Sequence, residues 1–389
     1  MVTAVVLAGG RGTRLQPFTL HRPKPLMPIA NKPLIDYVLD LLELSGVIDE
    51  VYVLCDYMGN TIAEYLQNNK RGIEVTPLTY RSLDTADAVR RASNVIDEDF
   101  LVIMGDIVTN CDIGSMWKMF ERKKSIAMIV LKDVDTPNHY GLAVTASDDR
   151  IIGFLEKPTS FELYLASIAM KSMKSKYCHA NLANTGIYAL SYSVLDVLED
   201  NPHLLDFGRH VFPYLLEEGY PIYSWYMGPY YWIDAGLPST YLRANIDLLN
   251  HQATPLKPRG LCSGGIWFNS YRMIHGSVLP PAAIGEVEII EEEVVVGPYV
   301  VLGDGVHICD KAIVAESVLM DNVKVRKGAS IENSIIGANV EIGERAEVKY
   351  SIVEDGAVIP DKAKVFGEVV SVEPRKERPV TMIELGARI

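Results

Sequence analysis

One apolar residue in every six, kept up over most of residues 284–365, restricts the C-terminal third of this chain to very few folds. Ile284, Ile290, Val296, Leu302, Ile308 and Val314 recur at every sixth position. The register then slips by one, and a 17-residue repeat takes over at Ser317-Val318-Leu319, Ser334-Ile335-Ile336 and Ser351-Ile352-Val353. Each triplet is followed by apolar residues at further steps of six: Val325 and Ile331, then Ile342 and Val348, then Ile359 and Val365. Sandwich strands alternate with period two. Three inward positions per coil describe a parallel β-helix of hexapeptide repeats, in which each coil stacks its aliphatic side chains on the next.

The first part of the chain is of another kind. Strand-like runs at Ala4–Leu7, Val51–Leu54 and Phe100–Met104 alternate with helical patterns at Pro33–Leu44, Thr61–Gln67 and Thr85–Ala92. The Pro33 helix has Asn31 or Lys32 ahead of a first-turn proline and Gly46 just past its end, the usual asymmetry of helix ends. Such alternation implies βαβ units and a mainly parallel, Rossmann-like α/β sheet, whose ligands bind beyond the carboxyl ends of the strands. From Ile126 the pattern is richer in strands (Ile126–Leu131, Leu142–Thr145, Ile151–Leu155, Ile187–Leu190), as expected of an insertion walling the site. A helix at Pro238–Leu249 closes this part, and Pro255 and Pro258 mark a linker. The expected organisation is an α/β domain over 1–250, a linker over 251–280, a β-helix over 281–370 and a tail over 371–389.

Composition excludes several functions. A formal net charge of −13 over 389 residues argues against a general nucleic-acid binder, which presents a basic face. The aromatic run from Tyr223 to Trp232 therefore reads as packing and not as a base-stacking platform. No apolar run approaches the ~18 residues of a membrane span, and the N-terminus lacks a signal-peptide pattern. Five scattered cysteines without a C-x-x-C suggest reduced thiols and a cytoplasmic protein. The eight histidines show no metal spacing, and His307 stands alone in the β-helix.

The chemistry concentrates in Leu7-Ala8-Gly9-Gly10-Arg11-Gly12-Thr13-Arg14-Leu15. A glycine turn leaving a strand exposes backbone N–H groups and lets phosphates approach closely. Leu15 stands where a dinucleotide fingerprint has its third glycine, and no Lys-Ser/Thr pair makes it a P-loop. Pro17-Phe18-Thr19 and Arg22-Pro23-Lys24-Pro25-Leu26-Met27-Pro28 follow. Further on come Gly105-Asp106, Phe154-Leu155-Glu156-Lys157-Pro158, Asn184-Thr185-Gly186-Ile187-Tyr188 and Tyr231-Trp232-Ile233-Asp234-Ala235-Gly236. In this order these motifs resemble those of the nucleotide-diphospho-sugar pyrophosphorylases, or sugar-1-phosphate nucleotidyltransferases. The resemblance covers roughly residues 1–250, and a left-handed β-helix is a known attachment in that family.

The resemblance implies that a sugar-1-phosphate oxygen attacks the α-phosphorus of a nucleoside triphosphate, releasing pyrophosphate. It places Leu7, Gly9, Gly10, Arg11, Gly12 and Thr13 around the triphosphate, with Arg14 and Lys24 on its β- and γ-phosphates. Asp106 and Asp234 would bind Mg²⁺, with Gly105 beside them. Lys157 would neutralise the sugar phosphate, while Glu156, Tyr140, Gly141 and Asn184 would line the sugar pocket. At the helix under the base the family has glycine-threonine-alanine, and here Asp84-Thr85-Ala86 stands; Asp84 either touches the base or caps the helix. The architecture is closest to mannose-1-phosphate guanylyltransferases. Glucose-1-phosphate with dTTP or UTP, and a non-catalytic regulatory subunit of the same fold, are the alternatives. Acyltransferases on such β-helices need a catalytic histidine and more coils than stand here, so the module reads as an assembly or regulatory element, and a homo-oligomer is expected.

Overall fold

In a computed structural model of the chain, the described residues are 2–172, 181–269 and 274–372. The expected tail lies outside them from residue 373 on. The chain divides into two compact units, each with a hydrophobic cluster of its own.

The first unit comprises Met1–Gly10, Val38–Gly105 and Thr109–Trp232 and is built on a nine-stranded mixed sheet. Val2–Ala8 lies between Ile48–Cys55 and Phe100–Met104, parallel to both, and Glu74–Thr79 extends the parallel half. Ala4 to Ala8 are all buried, as a strand covered on both faces requires. The later, strand-rich segment continues the same sheet. Leu182–Leu190 runs antiparallel to Phe100–Met104, to Gly141–Thr145 and to Ala127–Asp133. Ile151–Glu156 and Ile222–Tyr226 complete that side. The first long helix spans Leu34–Ser45 and stops at Gly46, whose φ of 65° is left-handed; glycine adopts that conformation without a Cβ penalty.

The second unit comprises Arg11–Tyr37, Asp106–Val108 and Ile233–Ile389. Its C-terminal part is the expected parallel β-helix, made of three ladders of short parallel strands. Ala282–Ile284 pairs with Val300–Leu302 at a step of 18, after which Val301 pairs with Val318, Val318 with Ile335 and Ile335 with Ile352 at steps of 17. Ile290, Val296, Leu302, Ile308, Val314, Val325, Ile331, Ile342 and Val348 are fully buried. Leu261–Ser263 and Ile266–Phe268, within the stretch expected as a linker, pair into the first ladder.

The serine repeat has its own reason. Ser317, Ser334 and Ser351 are fully buried. Each hydroxyl donates to the carbonyl two residues back, at 2.6–2.8 Å, and accepts the N–H of the residue one coil on, at 3.1–3.2 Å. A buried hydroxyl needs both partners, and a 17-residue repeat supplies them at every coil.

Candidate functional site

The structure gathers the expected residues into two groups, one in each unit. In the second unit, Lys24 sits in a one-turn helix, Lys24–Leu26, held between Pro23 and Pro25. Its side chain is 5% exposed, and its ammonium donates to Asp106 Oδ2 at 2.6 Å and to Asp234 Oδ1 at 3.0 Å. Arg14 Nη2 donates to the other oxygen of Asp234 at 3.2 Å. Asp106 directly precedes the strand Ile107–Thr109, which pairs with Trp232–Asp234, and this pairing makes neighbours of two carboxylates far apart in sequence.

The charges support one another. Burial works against the Lys24 ammonium, but the charges and hydrogen bonds of Asp106 and Asp234 outweigh it and raise its pKa above the ordinary 10.5. Burial likewise works against the Asp234 carboxylate, and Lys24 and Arg14 outweigh it, holding the pKa below the usual 3.8. Two carboxylates converging on one cation form an all-oxygen donor set of the kind a hard divalent ion takes, usually with phosphate oxygens and water.

Gly236, which sequence reasoning quoted but assigned no role, closes this cluster. A Cβ there would stand 2.8 Å from Arg14 Nη2 and from Asp234 Oδ1, and 3.0 Å from Lys24 Nζ. Gly12, at φ 60°, would press a Cβ onto Thr19 and Lys24 at 2.9 and 3.1 Å. Its carbonyl accepts Leu15 N–H and the Thr19 hydroxyl, both at 2.9 Å, which shapes the turn Thr13–Leu15. Thr13 is exposed.

The same loop is tied to the β-helix. Arg22 Nη2 donates to Asp355 Oδ2 at 2.6 Å, His21 Nε2 lies 3.2 Å from Glu354 Oε1, and Asn31 Nδ2 donates to the Leu302 carbonyl at 2.8 Å. The coil fixes the far side of each carboxylate: Asp355 Oδ1 accepts Ala338 N–H at 3.0 Å, and Glu354 Oε2 accepts Val372 N–H at 3.0 Å. Arg22→Ala is expected to cost about 1–3 kcal/mol of stability, the worth of a charged hydrogen bond. It should also lower turnover by loosening the turn that carries Lys24, as a melt and an assay on one preparation will read.

In the first unit, the glycine turn leaves its strand at Gly9-Gly10. Leu7 carbonyl accepts Gly105 N–H at 2.8 Å, and Gly9 carbonyl accepts Tyr57 N–H at 3.3 Å. A Cβ on Gly10 would meet nothing within 4 Å, and Gly10 and Arg11 are exposed. A Cβ on Gly105 would instead touch the Leu7 carbonyl at 3.0 Å, so this glycine serves strand packing.

Asp84 caps the helix Thr85–Arg91, accepting Thr85 N–H at 2.9 Å. Burial first, and the Asp206 charge second, raise its pKa above the usual 3.8. Thr85 donates its hydroxyl to Asp206 Oδ2 at 2.9 Å. Asp206 leads on to the expected sugar residues: a Cβ on Gly208 would lie within 4 Å of Asp206 Oδ1, Glu156 Oε2 and Asn184 Nδ2 together. A Cβ on Gly141 would stand 2.7 Å from Glu156 Oε2, and Arg209 Nε is 3.8 Å from Glu156 Oε1. Asn184 is oriented by donating to Tyr188 Oη at 2.9 Å and accepting Gly186 N–H at 3.0 Å. Tyr140 packs edge-on to Trp232, and its carbonyl accepts Lys157 N–H at 3.1 Å. Lys157 is exposed at φ 48°. Asp206, Gly208 and Arg209 escaped sequence reasoning because no motif surrounds them.

Among the described residues no helix is long and apolar enough to cross a membrane. The chain is similar to known proteins over most of its length. Residues 3–251 match the family described as Nucleotidyl transferase, and residues 278–379 match the GMPPB C-terminal domain. A UTP–glucose-1-phosphate uridylyltransferase of Synechocystis sp. is 27% identical over 343 residues, 81% of this chain and 82% of that one. A Sulfolobus acidocaldarius protein provisionally named a mannose-1-phosphate guanyltransferase is 29% identical, over 75% and 73% of the two chains. The bifunctional protein GlmU of Methanococcus maripaludis is 34% identical over 51% of this chain and 42% of its own length.

Proposed function

The chain belongs to the nucleotidyl transferase family as a sugar-1-phosphate nucleotidyltransferase, and we propose that its substrates are mannose-1-phosphate and GTP, giving GDP-mannose and pyrophosphate. The observation that carries this specificity is the match of residues 278–379 to the GMPPB C-terminal domain. The likeness to the Sulfolobus acidocaldarius protein supports it. Glucose-1-phosphate with UTP is the second reading, favoured by the Synechocystis relative.

In this reading the backbone from Leu7 to Thr13 wraps the triphosphate, with Arg11 as an outer contact, and Arg14 and Lys24 face its β- and γ-phosphates. An oxygen of the sugar phosphate attacks the α-phosphorus. The bond from that phosphorus to the bridging oxygen of pyrophosphate breaks, and the electron pair leaves on pyrophosphate. Arg14 and Lys24 stabilise that growing charge, an interaction stronger in the transition state than before it. Asp106 and Asp234 would hold Mg²⁺, which neutralises phosphate charge when bound. Lys157 receives the sugar phosphate, Glu156 and Asn184 accept and donate to sugar hydroxyls, and Tyr140-Gly141 shapes the pocket. Asp84 and Thr85 stand under the nucleoside, Asp84 acting through the helix it caps.

The test is a matrix of GTP, UTP, dTTP and ATP against mannose-1-phosphate and glucose-1-phosphate, followed by pyrophosphate release. GTP with mannose-1-phosphate should give the highest kcat/KM. Preference for UTP with glucose-1-phosphate transfers the assignment to the second reading, and silence with every pair makes the chain a regulatory subunit. We also propose that the β-helix mediates homo-oligomerisation. Light scattering should follow surface variants of the coils and not truncations, because truncation removes the partners of Arg22 and Asn31.

A further inference from the structure

The β-helix carries a cluster that the transferase reaction does not use. Its residues are dispersed in sequence and meet only through the coil register. Ile289 pairs with His307 and Ile290 with Ile308. Ile290 and Ile308 point inward and are fully buried, so the residues flanking them point outward. One step further along the pair, Glu291 stands beside Cys309. His307 therefore does not stand alone, as its sequence neighbourhood suggests. Its Nε2 lies 3.0 Å from Glu291 Oε1 and 3.6 Å from Cys309 Sγ, and the three ligand atoms all lie within 4.8 Å of one another.

We propose that Glu291, His307 and Cys309 form a binding site for a borderline-soft divalent transition metal, zinc in the first instance, that staples two successive coils. Zinc–sulfur and zinc–nitrogen bonds of about 2.3 and 2.0–2.1 Å at a tetrahedral angle put sulfur and nitrogen about 3.5 Å apart, against 3.6 Å here. Two nitrogen or oxygen ligands of zinc sit about 3.4 Å apart, so the carboxylate, now 3.0 Å from His307, needs to withdraw by only a few tenths of an ångström. A thiolate, an imidazole and a carboxylate make a set that zinc accepts and that magnesium, which prefers oxygen alone, does not.

The surroundings fit a ligand role. His307 Nδ1 lies 3.7 Å from Glu288 Oε2, longer than a hydrogen bond but near enough for that carboxylate to become the outer partner of a metal-bound histidine by a small side-chain movement. Glu291 Oε2 accepts Asp310 N–H at 2.9 Å, which steers Oε1 toward the histidine. Among the described residues of the next coil, Lys324 stands in register with His307, and the Arg326 guanidinium is turned to Glu341 at 2.7–2.8 Å. Among the described residues the cluster supplies three protein ligands, which would leave one position of a tetrahedral zinc site for water. Cys309 is a free thiol, and coordination replaces its proton with the metal, releasing one proton to solvent.

The experiment uses the full chain, stripped with a chelator under reducing conditions and titrated with Co²⁺ as a spectroscopic substitute for Zn²⁺. One equivalent should produce a thiolate-to-metal charge-transfer band and the intense visible absorption of a tetrahedral site. Zn²⁺ should bleach both and raise the melting temperature, since ligands of the folded state stabilise it. Cys309→Ser should remove the charge-transfer band and His307→Ala the stoichiometric binding. Cys262→Ser, at an exposed thiol on another strand, should retain both signals. All three ligands face outward, so metal-free melts of the variants should match the parent chain. Absence of the band in the parent chain, or its survival in Cys309→Ser, overturns the site. Neither outcome depends on the sugar or base the transferase uses.

Discussion

Lys24→Ala will reduce pyrophosphate release by about 10³-fold, or ~4 kcal/mol of transition-state stabilisation. Lys24 is the least exposed member of its cluster at 5%, and its ammonium alone touches both carboxylates. Truncation removes the charge that would face the leaving pyrophosphate and sets Asp106 and Asp234 against each other with only Arg14 to compensate. Stability should fall as well, because a cation missing between partly buried carboxylates leaves them uncompensated. The two effects separate by assay well below the melting temperature of the variant. Lys24→Arg should recover little, because a planar guanidinium does not replace a compact ammonium at this depth. Turnover within tenfold of the parent chain would remove Lys24 from the machinery.

Gly236→Ala will divide activity from stability. Its φ is not in the left-handed region, so alanine meets no backbone strain. The added methyl would stand 2.8–3.0 Å from the charged ends of Arg14, Asp234 and Lys24. Long side chains can retreat from such a contact, and folding should change by no more than about 1 kcal/mol. Catalysis has no such tolerance: a displacement of about 1 Å in a positioned group costs on the order of 10²-fold in rate. We therefore expect kcat to drop about 100-fold while the melting transition stays near that of the parent chain. A variant with parental turnover would show that the spacing of the three charges is not what the reaction needs.

Much of this was legible in the sequence, for identifiable reasons. The β-helix announces itself because each coil repeats the same inward positions, and even the slip from 18 to 17 residues per coil can be counted off. The parallel core could be read because Ala4–Ala8 is buried on both faces and continuously apolar. Glu74–Thr79 was not read because Pro77 interrupts it, and proline is tolerated there only because this strand is an edge. The helix Ile113–Lys123 carries a regular apolar stripe, Ile113, Met116, Trp117 and Phe120, so this element was legible in the sequence although it is not among the expected helices. The candidate site residues expected from the sequence lie in contiguous motifs, whereas Asp206, Gly208 and Arg209 lie in none. Their relation to Glu156 and Asn184 arises only when Leu182–Leu190 and Ile151–Glu156 come to lie on either side of Gly141–Thr145. Glu291 and Cys309 were likewise invisible until the coil register set them side by side.

The ties from Arg22 to Asp355 and from His21 to Glu354 each span 333 positions of the chain. A ribosome delivers the lysine-bearing turn within the first few dozen residues, but its anchors emerge only with the last coils. Asp106, Asp234 and Leu302 can engage this segment earlier, but the ties of His21 and Arg22 form only near the end of synthesis. Products of interrupted translation or of proteolysis before residue 354 inherit every residue proposed to meet phosphate but lack the two ties from His21 and Arg22. The final fastening of the lysine-bearing turn thus falls to the part of the chain made last, on a segment that was made first.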